Sequence, residues 1–559
     1  MKRTAILFIV IFCFHFTLRA QEDEIPPPLT HADTLLGSLN PERAFNVLRY
    51  DISIIPDYEA RSITGKNTIT YLDSGLVYMQ IDLQQPLIID SIIYRDRSLF
   101  FKREGNAWLA YVGDSVNRTK GYLHGSQSLT VYYHGHPKIA AKPPWDGGWI
   151  FTKDALGRPW MSVACEEAGA SVWYPCKDYL GDEPDSGASL AITVPDSLVA
   201  VGNGRLKEKI NNGDGTSTWT WAVKSPINNY NIIPCIGKYT TWHSGFNGEK
   251  GKLDCDFWVL DYQVAKAKKH FSLVDSMLTC FEYWFGPYPF YEDGYKLVEA
   301  PYLGMEHQSN IAYGNHYLQG YAGRDLSGTG WGLKWDFIIV HESGHEWFGN
   351  SITAKDIADE WIHEAFTDYS ETLYTGYYFG REAGDAYVIG LRKNIQNKFP
   401  IIQYYGVHRA PADTDEYYKG SNMIHTIRQV INNDSLFRKI LRGLNRTFYH
   451  QTVMANDIEQ YINRAAGINF TPVFNQYLKS TAVPVLEYTL TGNELRYRWN
   501  HCNADFDMPV KVTIQGTRWL HPATRWQKTR LNPKGKKQLT VDPNFYVGVK
   551  NLGNAEPNP

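Results

Sequence analysis

Cysteine is scarce in this sequence. Its 559 residues include seven cysteines, one of which, Cys13, lies in an N-terminal apolar run. The other six show no C-x-x-C spacing, which excludes the cysteine-pair pattern of a second metal site or a redox-active dithiol. Because six is an even number, disulfides are permitted, but core thiols are equally ordinary and the spacing predicts no pairing.

Long apolar runs are also absent after the first 20 residues. Residues 1–20 begin with two basic residues, continue through an apolar run and end at Ala20, a pattern typical of a secretory signal peptide. A retained membrane anchor is the alternative, although the run is short for a bilayer span. We therefore expect an exported protein, periplasmic or extracellular, whose mature chain has no membrane span.

Strong net charge is lacking as well. Lysine and arginine number 56 against 59 aspartates and glutamates, which gives a formal net charge of −3. A chain this close to neutral gives no reason to expect a nucleic acid or an anionic membrane as a partner. Nothing in the sequence indicates oligomerisation either.

The most informative pattern that is present is H-E-x-x-H at residues 341–345. Residues four apart on a helix lie about 40° apart around its axis, so His341 and His345 project from one face. Two imidazoles in that geometry can occupy two corners of a zinc tetrahedron. Glu342 points about 100° away from His341 and can reach a water at the metal without ligating it. The pentad therefore predicts a zinc site with its own general base, although such a pentad also occurs by chance.

Glu364 is the expected third ligand. Apolar patterning predicts a buried helix over residues 335–350 and a second helix over residues 357–377, and Glu364 lies on the second. Trp361 and Phe366 flank it, which favours a buried carboxylate over a solvated one. His363 is a rival ligand, but it points about 100° away from Glu364.

With eighteen residues between His345 and Glu364, the pattern resembles the zinc aminopeptidases of the aminopeptidase N and leukotriene hydrolase type, the gluzincin aminopeptidases. Residues 303–307, L-G-M-E-H, stand where that family carries its G-x-M-E-N motif, and residues 417–420, Y-Y-K-G, match its Y-x-K-G motif. Residues 165–167, C-E-E, followed by P-C at 175–176, resemble a further family segment.

The resemblance implies a zinc-dependent aminopeptidase that hydrolyses the N-terminal peptide bond of peptides with a free N-terminus. One Zn²⁺ per chain activates a water, Glu342 serves as general base and Tyr417 stabilises the oxyanion. A carboxylate pair binds the substrate ammonium, and a strand edge pairs with the substrate backbone. The implied substrate-binding residues are Glu306, Glu166, Gly304 and Met305.

Several alternatives stay open at this point. A one-residue slip would exchange Glu166 for Glu167, and Tyr418 is a rival of Tyr417. His307 replaces the usual asparagine of the family motif and can titrate near neutral pH. At the level of function, a thermolysin-like zinc endopeptidase and a catalytically silent peptide-binding scaffold are the competing interpretations.

The length is sufficient for about three domains, and the strand and helix patterns predict an α+β multidomain fold. We expect a signal peptide at 1–20, an N-terminal antiparallel β domain at 21–240, a thermolysin-like, mainly helical catalytic domain at 241–482 and a small C-terminal β-sandwich at 483–559. Many family members continue with a large helical domain. Nothing in this sequence matches it, so that domain is expected to be absent.

Overall fold

The computed structural model of the chain describes residues 28–37, 40–72, 75–113, 125–533 and 538–553. The signal peptide expected at residues 1–20 lies outside these ranges, so its cleavage and the export of the chain stay predictions. Within the described ranges, no helix combines the length and the apolar character that crossing a bilayer requires.

The N-terminal part of the chain is built on β-sheets, as its alternating runs predict. Alternate residues of Asn46–Asp57 are mostly buried, as expected of a strand with one face on a core. Among the described strands of the largest sheet, this strand makes one parallel pairing, with Ala188–Pro195. The eight strands lie in the order Arg205–Asn211, Thr216–Val223, Ala188–Pro195, Asn46–Asp57, Ser62–Leu72, Ser126–Gly135, Ile88–Tyr94 and Arg97–Ser98.

Two smaller sheets complete this part. A four-stranded sheet has the order Val199–Val201, Cys235–Gly237, Pro159–Ala164 and Gly148–Lys153, and a three-stranded sheet has the order Tyr78–Asp82, Ala107–Tyr111 and Phe101–Glu104. The short helical segments are His31–Gly37, Pro41–Arg43, Ala170–Val172 and Asn229–Asn231.

The middle of the chain combines one sheet with a set of helices. The sheet has the order Tyr239–Gly248, Gly251–Leu260, Tyr295–Glu299, Ile311–Tyr313 and Gly304–Met305, so Gly304–Met305 is an edge strand. A two-stranded sheet pairs Ile352–Ala354 with Gln451–Val453. The α-helices are Val264–His270, Leu273–Phe285, Phe337–Gly344, Trp361–Phe379, Arg381–Leu391, Asp415–Ile431, Asp434–Thr447, Ala455–Ala466 and Thr471–Leu478, with short 3-10 turns at Asp261–Gln263, Trp331–Leu333, Ile357–Asp359 and Arg392–Asn394.

The helix predicted over residues 335–350 is shorter than expected. It begins at Phe337, because the Asp336 side chain caps it by accepting the N–H of Ile339 at 3.2 Å, and it ends at Gly344. The chain then turns through a wider helical segment, Glu346–Asn350. Gly349 has a φ of 124° there, a conformation that L side chains rarely adopt, so the helix cannot continue through this residue.

The C-terminal part consists of two small facing sheets, in agreement with the predicted β-sandwich and the α+β multidomain fold. Its core is continuous with that of the preceding helices: Phe474 on a helix and Leu486 and Trp499 on strands belong to one buried cluster. One sheet has the order Gln527–Arg530, Glu494–Asn500, Val485–Thr491 and Gly548–Asn551, and the other has the order Thr517–Leu520, Val510–Thr513 and Thr540–Val541.

A second buried cluster fills the N-terminal sheets and includes Tyr302 and Met305. The edge strand Gly304–Met305 therefore lies where the N-terminal sheets meet the helical part of the chain. All six described cysteines are unpaired thiols, and five of them are buried, which makes them core residues in this structure.

Candidate active site

Three helices and one strand enclose a cleft of about 410 Å³. We call the helices the first site helix (Phe337–Gly344), the second site helix (Trp361–Phe379) and the third site helix (Asp415–Ile431). The edge strand Gly304–Met305, which packs against the first site helix, also lines the cleft. All nine residues that the sequence analysis assigned to the metal, to catalysis or to the substrate line this cleft: Glu166, Gly304, Met305, Glu306, His341, Glu342, His345, Glu364 and Tyr417.

The three predicted metal ligands converge at one end of the cleft. The Nε2 atoms of His341 and His345 lie 3.3 Å apart, and Oε2 of Glu364 lies 3.5 Å from each of them. Donor atoms bound to a tetrahedral zinc at 2.0–2.2 Å are about 3.3–3.6 Å apart. The spacing of the three donors therefore fits one zinc ion.

Hydrogen bonds leave these three donor atoms free to bind a cation. Nδ1 of His341 faces Oε1 of Glu371 at 2.6 Å, and Nδ1 of His345 donates to the Phe348 carbonyl at 3.1 Å. When both Nδ1 atoms carry the proton, the two Nε2 lone pairs face each other. Oε2 of Glu364 is buried, and no described residue donates a hydrogen bond to it. A bound cation removes the repulsion and satisfies the carboxylate oxygen.

The electrostatics of the site also favour positive charge at the histidines. Burial lowers the pKa of His341, but the neighbouring carboxylates of Glu364 and Glu371 outweigh it and raise this pKa well above its usual value. Burial likewise lowers the pKa of His345, but the charges of Glu364 and Glu306 outweigh burial and raise this pKa above its usual value. The carboxylates thus make this point of the protein attractive to a cation.

Glu371 is a positioning residue that sequence reasoning missed. Its Oε1 contacts His341, and its Oε2 accepts a hydrogen bond from the Tyr387 hydroxyl at 2.5 Å. A carboxylate behind a ligating imidazole fixes the ring and strengthens it as a ligand. Glu371 lies two helical turns after Glu364 on the second site helix, so helical periodicity could have identified it.

We expect Glu371→Gln to weaken zinc binding by roughly 10- to 100-fold, because the charge behind His341 is lost while the side-chain shape is kept. Zinc affinity is measured by competition with a chromogenic chelator. Tyr387→Phe is the matched control, since it removes one hydrogen bond of Glu371 but leaves the charge, and it should weaken zinc binding less. Equal affinities of Glu371→Gln and the wild type would contradict this role.

His363 does not compete for this position. Its Nε2 accepts the backbone N–H of Ala354 at 2.8 Å, which commits that nitrogen to the strand after the first site helix. The ring instead approaches Glu166 and Glu360, whose donor atoms lie within 4.8 Å of it and of each other. Glu360 is buried and lies beside the predicted ammonium site. The sequence analysis did not identify this residue.

Glu342 lies beside the ligands without joining them. It lines the cleft, and donor atoms of Glu342, Glu306 and His345 lie within 4.8 Å of one another. Burial raises the pKa of Glu342 to about 8, and the neighbouring His341 partly opposes that rise. This placement suits a carboxylate that exchanges a proton with a group at the metal.

Gly304 is required by the close packing at this point. A Cβ atom on Gly304 would lie 2.6 Å from Cγ2 of Ile338 and 2.9 Å from Oε1 of Glu342. A side chain at residue 304 would therefore displace Glu342 or the first site helix. Gly304 and Met305 pair antiparallel with Tyr313 and Ala312, and their other edge faces the cleft.

Glu306 is held in place by several groups. The Tyr230 hydroxyl donates to its Oε1 at 2.8 Å, and the Asn350 amide donates to its backbone carbonyl at 2.7 Å. Asn350 belongs to the turn that follows His345, so one turn orients both a metal ligand and Glu306. Neither Tyr230 nor Asn350 could be found from the sequence, since no periodicity connects them with residue 306.

Glu166, rather than Glu167, pairs with Glu306. Burial raises the pKa of Glu166 well above its usual value, and the charge of Glu306 adds to the rise, so the two carboxyls are in close proximity. The pKa of Glu167 is raised by burial and then by Glu364, without a contribution from Glu306. The buried carboxylate of Glu306 and the half-buried one of Glu166 repel one another and favour a cation between them.

Tyr417 and Tyr418 both line the cleft but face different groups. The Tyr417 ring stacks beside that of His341, with ring centroids 6.0 Å apart. Burial raises the pKa of Tyr417, followed by the charges of Glu364 and Glu416, which keeps the phenol protonated as a hydrogen-bond donor. Asp368 and Glu371 dominate the charges near Tyr418, on the other side of the site.

His307 is fully buried, and neither of its ring nitrogens has a hydrogen-bond partner among the described residues. Burial lowers its pKa from 6.5 to about 4, and Glu306 only partly offsets that shift. The imidazole is therefore neutral around pH 7. An ordinary histidine would instead titrate near neutral pH, as the sequence analysis allowed.

We expect the pH profiles of activity for wild type and His307→Asn to superimpose from about pH 6 to about pH 9, since His307 stays neutral there. Stability should differ at lower pH. The folded pKa is depressed, so the contribution of His307 to stability is present above its unfolded pKa and is lost as the pH falls from 6.5 to about 4. An inflection in activity near pH 6.5 that His307→Asn abolishes would contradict this assignment.

The comparisons with known proteins agree with the geometry. Residues 272–477 match the model of the peptidase family M1 domain. Aminopeptidase B of Rattus norvegicus is 23% identical over 364 residues, which cover 60% of this chain and 52% of that protein. A probable aminopeptidase 2 of Sulfurisphaera tokodaii is 18% identical over 400 residues, which cover 67% of this chain and 48% of that protein. The chain thus spans about half the length of these curated relatives.

Solved structures share the fold. The M1 zinc metallopeptidase of Deinococcus radiodurans superimposes with a TM-score of 0.66 at 19% identity, covering 79% of this chain and 96% of that one. A variant of that enzyme bound to a Tyr-Ser-Ala substrate gives a TM-score of 0.63 at 18% identity, with the same coverage. Residues 272–477 therefore match a peptidase family M1 domain, and the chain shares the fold of the M1 zinc metallopeptidases.

Proposed function

We propose that this chain is a zinc-dependent aminopeptidase that removes the N-terminal residue of peptides. The observation that carries the proposal is the position of the Glu306 and Glu166 carboxyls, in the same cleft as the three metal donors. A metal site alone suits any zinc peptidase. A carboxylate pair beside it binds an ammonium by charge-assisted hydrogen bonds, and therefore selects a free N-terminus.

His341, His345 and Glu364 would hold the zinc, which supplies Lewis acidity toward a water and the scissile carbonyl when it is bound. Glu342 accepts the proton of the attacking water at a carboxylate oxygen. It then delivers that proton to the amine nitrogen that leaves. Glu306 accepts a hydrogen bond from Tyr230, and Glu364 is assigned to the metal. Glu342 is therefore the neighbouring carboxylate that is left to carry the proton.

Tyr417 stabilises the charge that develops on the carbonyl oxygen. Its phenol remains protonated, so it can donate a hydrogen bond to that oxygen as the tetrahedral species forms. Its ring is packed beside His341, which fixes the hydroxyl relative to the metal donors. Because the donor is oriented before the reaction, no reorganisation is needed during the chemical step.

The two anchoring carboxyls place the scissile bond. The ammonium lies between Glu306, whose Oε1 also accepts from Tyr230, and Glu166, whose Oε1 is buried without a hydrogen-bond partner. The free edge of Gly304–Met305 pairs with the substrate backbone as an added strand. The same carboxyls would block a chain that extends past the position of the ammonium, so that residues are released one at a time from the N-terminus.

Several relatives are named aminopeptidases, including aminopeptidase B, which supports the proposal. The test compares one peptide with a free N-terminus against its N-acetylated form. We expect cleavage of the free peptide and none of the acetylated one. Glu306→Gln should lower kcat/KM for the free peptide by roughly 10- to 100-fold, the loss of a hydrogen bond to a charged group. Equal rates for both peptides would instead establish an endopeptidase.

A further inference from the structure

The cleft holds more negative charge than the proposed reaction uses. Eight carboxyl side chains line it, and none of its described lining residues is a lysine or an arginine. Four of the eight serve as metal ligand, base and ammonium anchors. The four that remain without a role are Glu167, Asp368, Asp413 and Glu416.

Glu416 is the most unusual of these four. It lies in the first turn of the third site helix and is 5% exposed, yet its Oε2 atom has no hydrogen-bond partner among the described residues. Another buried carboxylate, Glu282, shows what this fold normally provides: it accepts hydrogen bonds from the N–H groups of Tyr288 and Glu249 at 2.9 and 2.6 Å. Glu416 lacks such donors.

Among the described residues, no lysine or arginine donates a hydrogen bond to Oε2 of Glu416. The ammonium of nearby Lys419 donates to the Ser480 carbonyl at 2.7 Å. Burial raises the pKa of Glu416, and the charges of Glu360 and Glu364 add to the rise. A buried carboxyl among other carboxyls costs folding free energy unless a partner satisfies it.

Asp413 repeats the pattern on the loop that precedes the third site helix. Its Oδ1 accepts the N–H of Asp415 at 2.9 Å, whereas its Oδ2 is buried without a partner. The charge of Asp413 also acts on Glu416, as does that of Glu167. These three carboxyls therefore form one wall of the cleft, which we call the acidic wall (Glu167, Asp413 and Glu416).

The acidic wall lines the cleft in which the first substrate residue would be held. Glu416 directly precedes Tyr417, and the pKa of Tyr417 responds, after burial, to Glu364, Glu416 and Glu166. The wall shares this cleft with the ammonium anchors and the metal donors. A side chain on the first residue of the substrate extends from the carbon that carries that ammonium.

We propose that the acidic wall binds a cationic side chain on the N-terminal residue of the substrate, arginine or lysine, with Glu416 as the principal contact. The proposal rests on the aminopeptidase function proposed above. Both side chains carry their charge at the end of a flexible apolar stem, so the charge can reach the wall while the backbone pairs with the edge strand. The arginine fork can bond two carboxylates at once.

The test uses fluorogenic amides that differ in charge and little in shape. Arginine is compared with citrulline, and lysine with norleucine, while leucine and alanine amides report general activity. For the wild type we expect kcat/KM for arginine to exceed that for citrulline by roughly tenfold or more, the effect of one charge-assisted hydrogen bond. Glu416→Gln should reduce this ratio to about threefold or less.

Two matched variants sharpen the result. Glu416→Asp keeps the charge and should retain a clear preference for arginine. Glu382→Gln is the same chemical change at an exposed position at the start of another helix, and it should leave the arginine-to-citrulline ratio at the wild-type value. If Glu416→Gln does not fold, the wild-type ratios still decide whether the cleft selects positive charge.

Three outcomes would overturn the proposal. A wild-type ratio near one shows that the cleft does not select positive charge, and a ratio unchanged in Glu416→Gln removes Glu416 from the role. If the wild type cleaves none of the amides, leucine and alanine included, the aminopeptidase function itself fails. If leucine or alanine amides are cleaved without any preference for arginine, only the present inference fails.

Discussion

Replacing Glu342 with glutamine is expected to lower kcat by roughly 10²- to 10⁴-fold, the usual contribution of a general acid–base group. The amide keeps the shape of the carboxyl and so preserves its packing against Gly304, but it cannot accept the proton of the attacking water. The metal donors are separate side chains, and they should be unaffected. The measurement is kcat under saturating substrate, with zinc content determined by atomic absorption on the same samples.

The control for this experiment tests whether the variant still binds zinc and peptide. Glu342→Gln should bind zinc with the stoichiometry of the wild type, and calorimetry should show that it binds an uncleaved peptide with similar affinity. A variant that retains kcat within about tenfold would show that another group carries the proton. A variant that loses zinc would show that Glu342 supports the metal instead.

Tyr417→Phe is expected to lower kcat by roughly 10²- to 10³-fold, the typical loss for one donor to a developing oxyanion. The ring should keep its place beside His341, since only the hydroxyl is removed. KM should change little, because the interaction forms mainly in the transition state. Steady-state kinetics on a dipeptide amide, with zinc content as a check, provides the measurement.

The chain offers a matched control one residue away. Tyr418→Phe removes the same atom from the neighbouring tyrosine of the same cleft, and it should leave kcat within about threefold of the wild type. A larger loss in Tyr418→Phe than in Tyr417→Phe would exchange the two roles. Near-normal turnover in both variants would mean that neither phenol stabilises the oxyanion.

The metal donors could be predicted from the sequence because they follow local periodicity. His341 and His345 share a helix face, and the first site helix brings their Nε2 atoms to 3.3 Å as the spacing implies. Glu371 could be predicted in the same way, because it lies two helical turns after Glu364 and so on the same face of the second site helix. The end of the first site helix was predicted less well. The wider turn at Glu346–Asn350 contains Gly349, whose backbone conformation is not helical and could not be read from the sequence.

The support of the ammonium site could not be predicted, because it is assembled from distant segments. Tyr230 comes from the N-terminal sheets and Asn350 from the turn after His345, and both meet Glu306 through tertiary contacts. The choice between Glu166 and Glu167 likewise needed the spatial proximity of Glu306. Glu416 belongs to no motif, and the lack of a hydrogen-bond donor to its Oε2 atom among the described residues results from tertiary packing.

The account is tested most directly by following the digestion of one unblocked decapeptide by mass spectrometry, with zinc-loaded protein, with chelated protein and after zinc is added back. We predict a ladder of products that lose one residue at a time from the N-terminus, no products with the chelated protein and a restored ladder after zinc addition. Internal cleavage products, or a ladder that persists without zinc, would contradict the proposal that this chain is a zinc aminopeptidase.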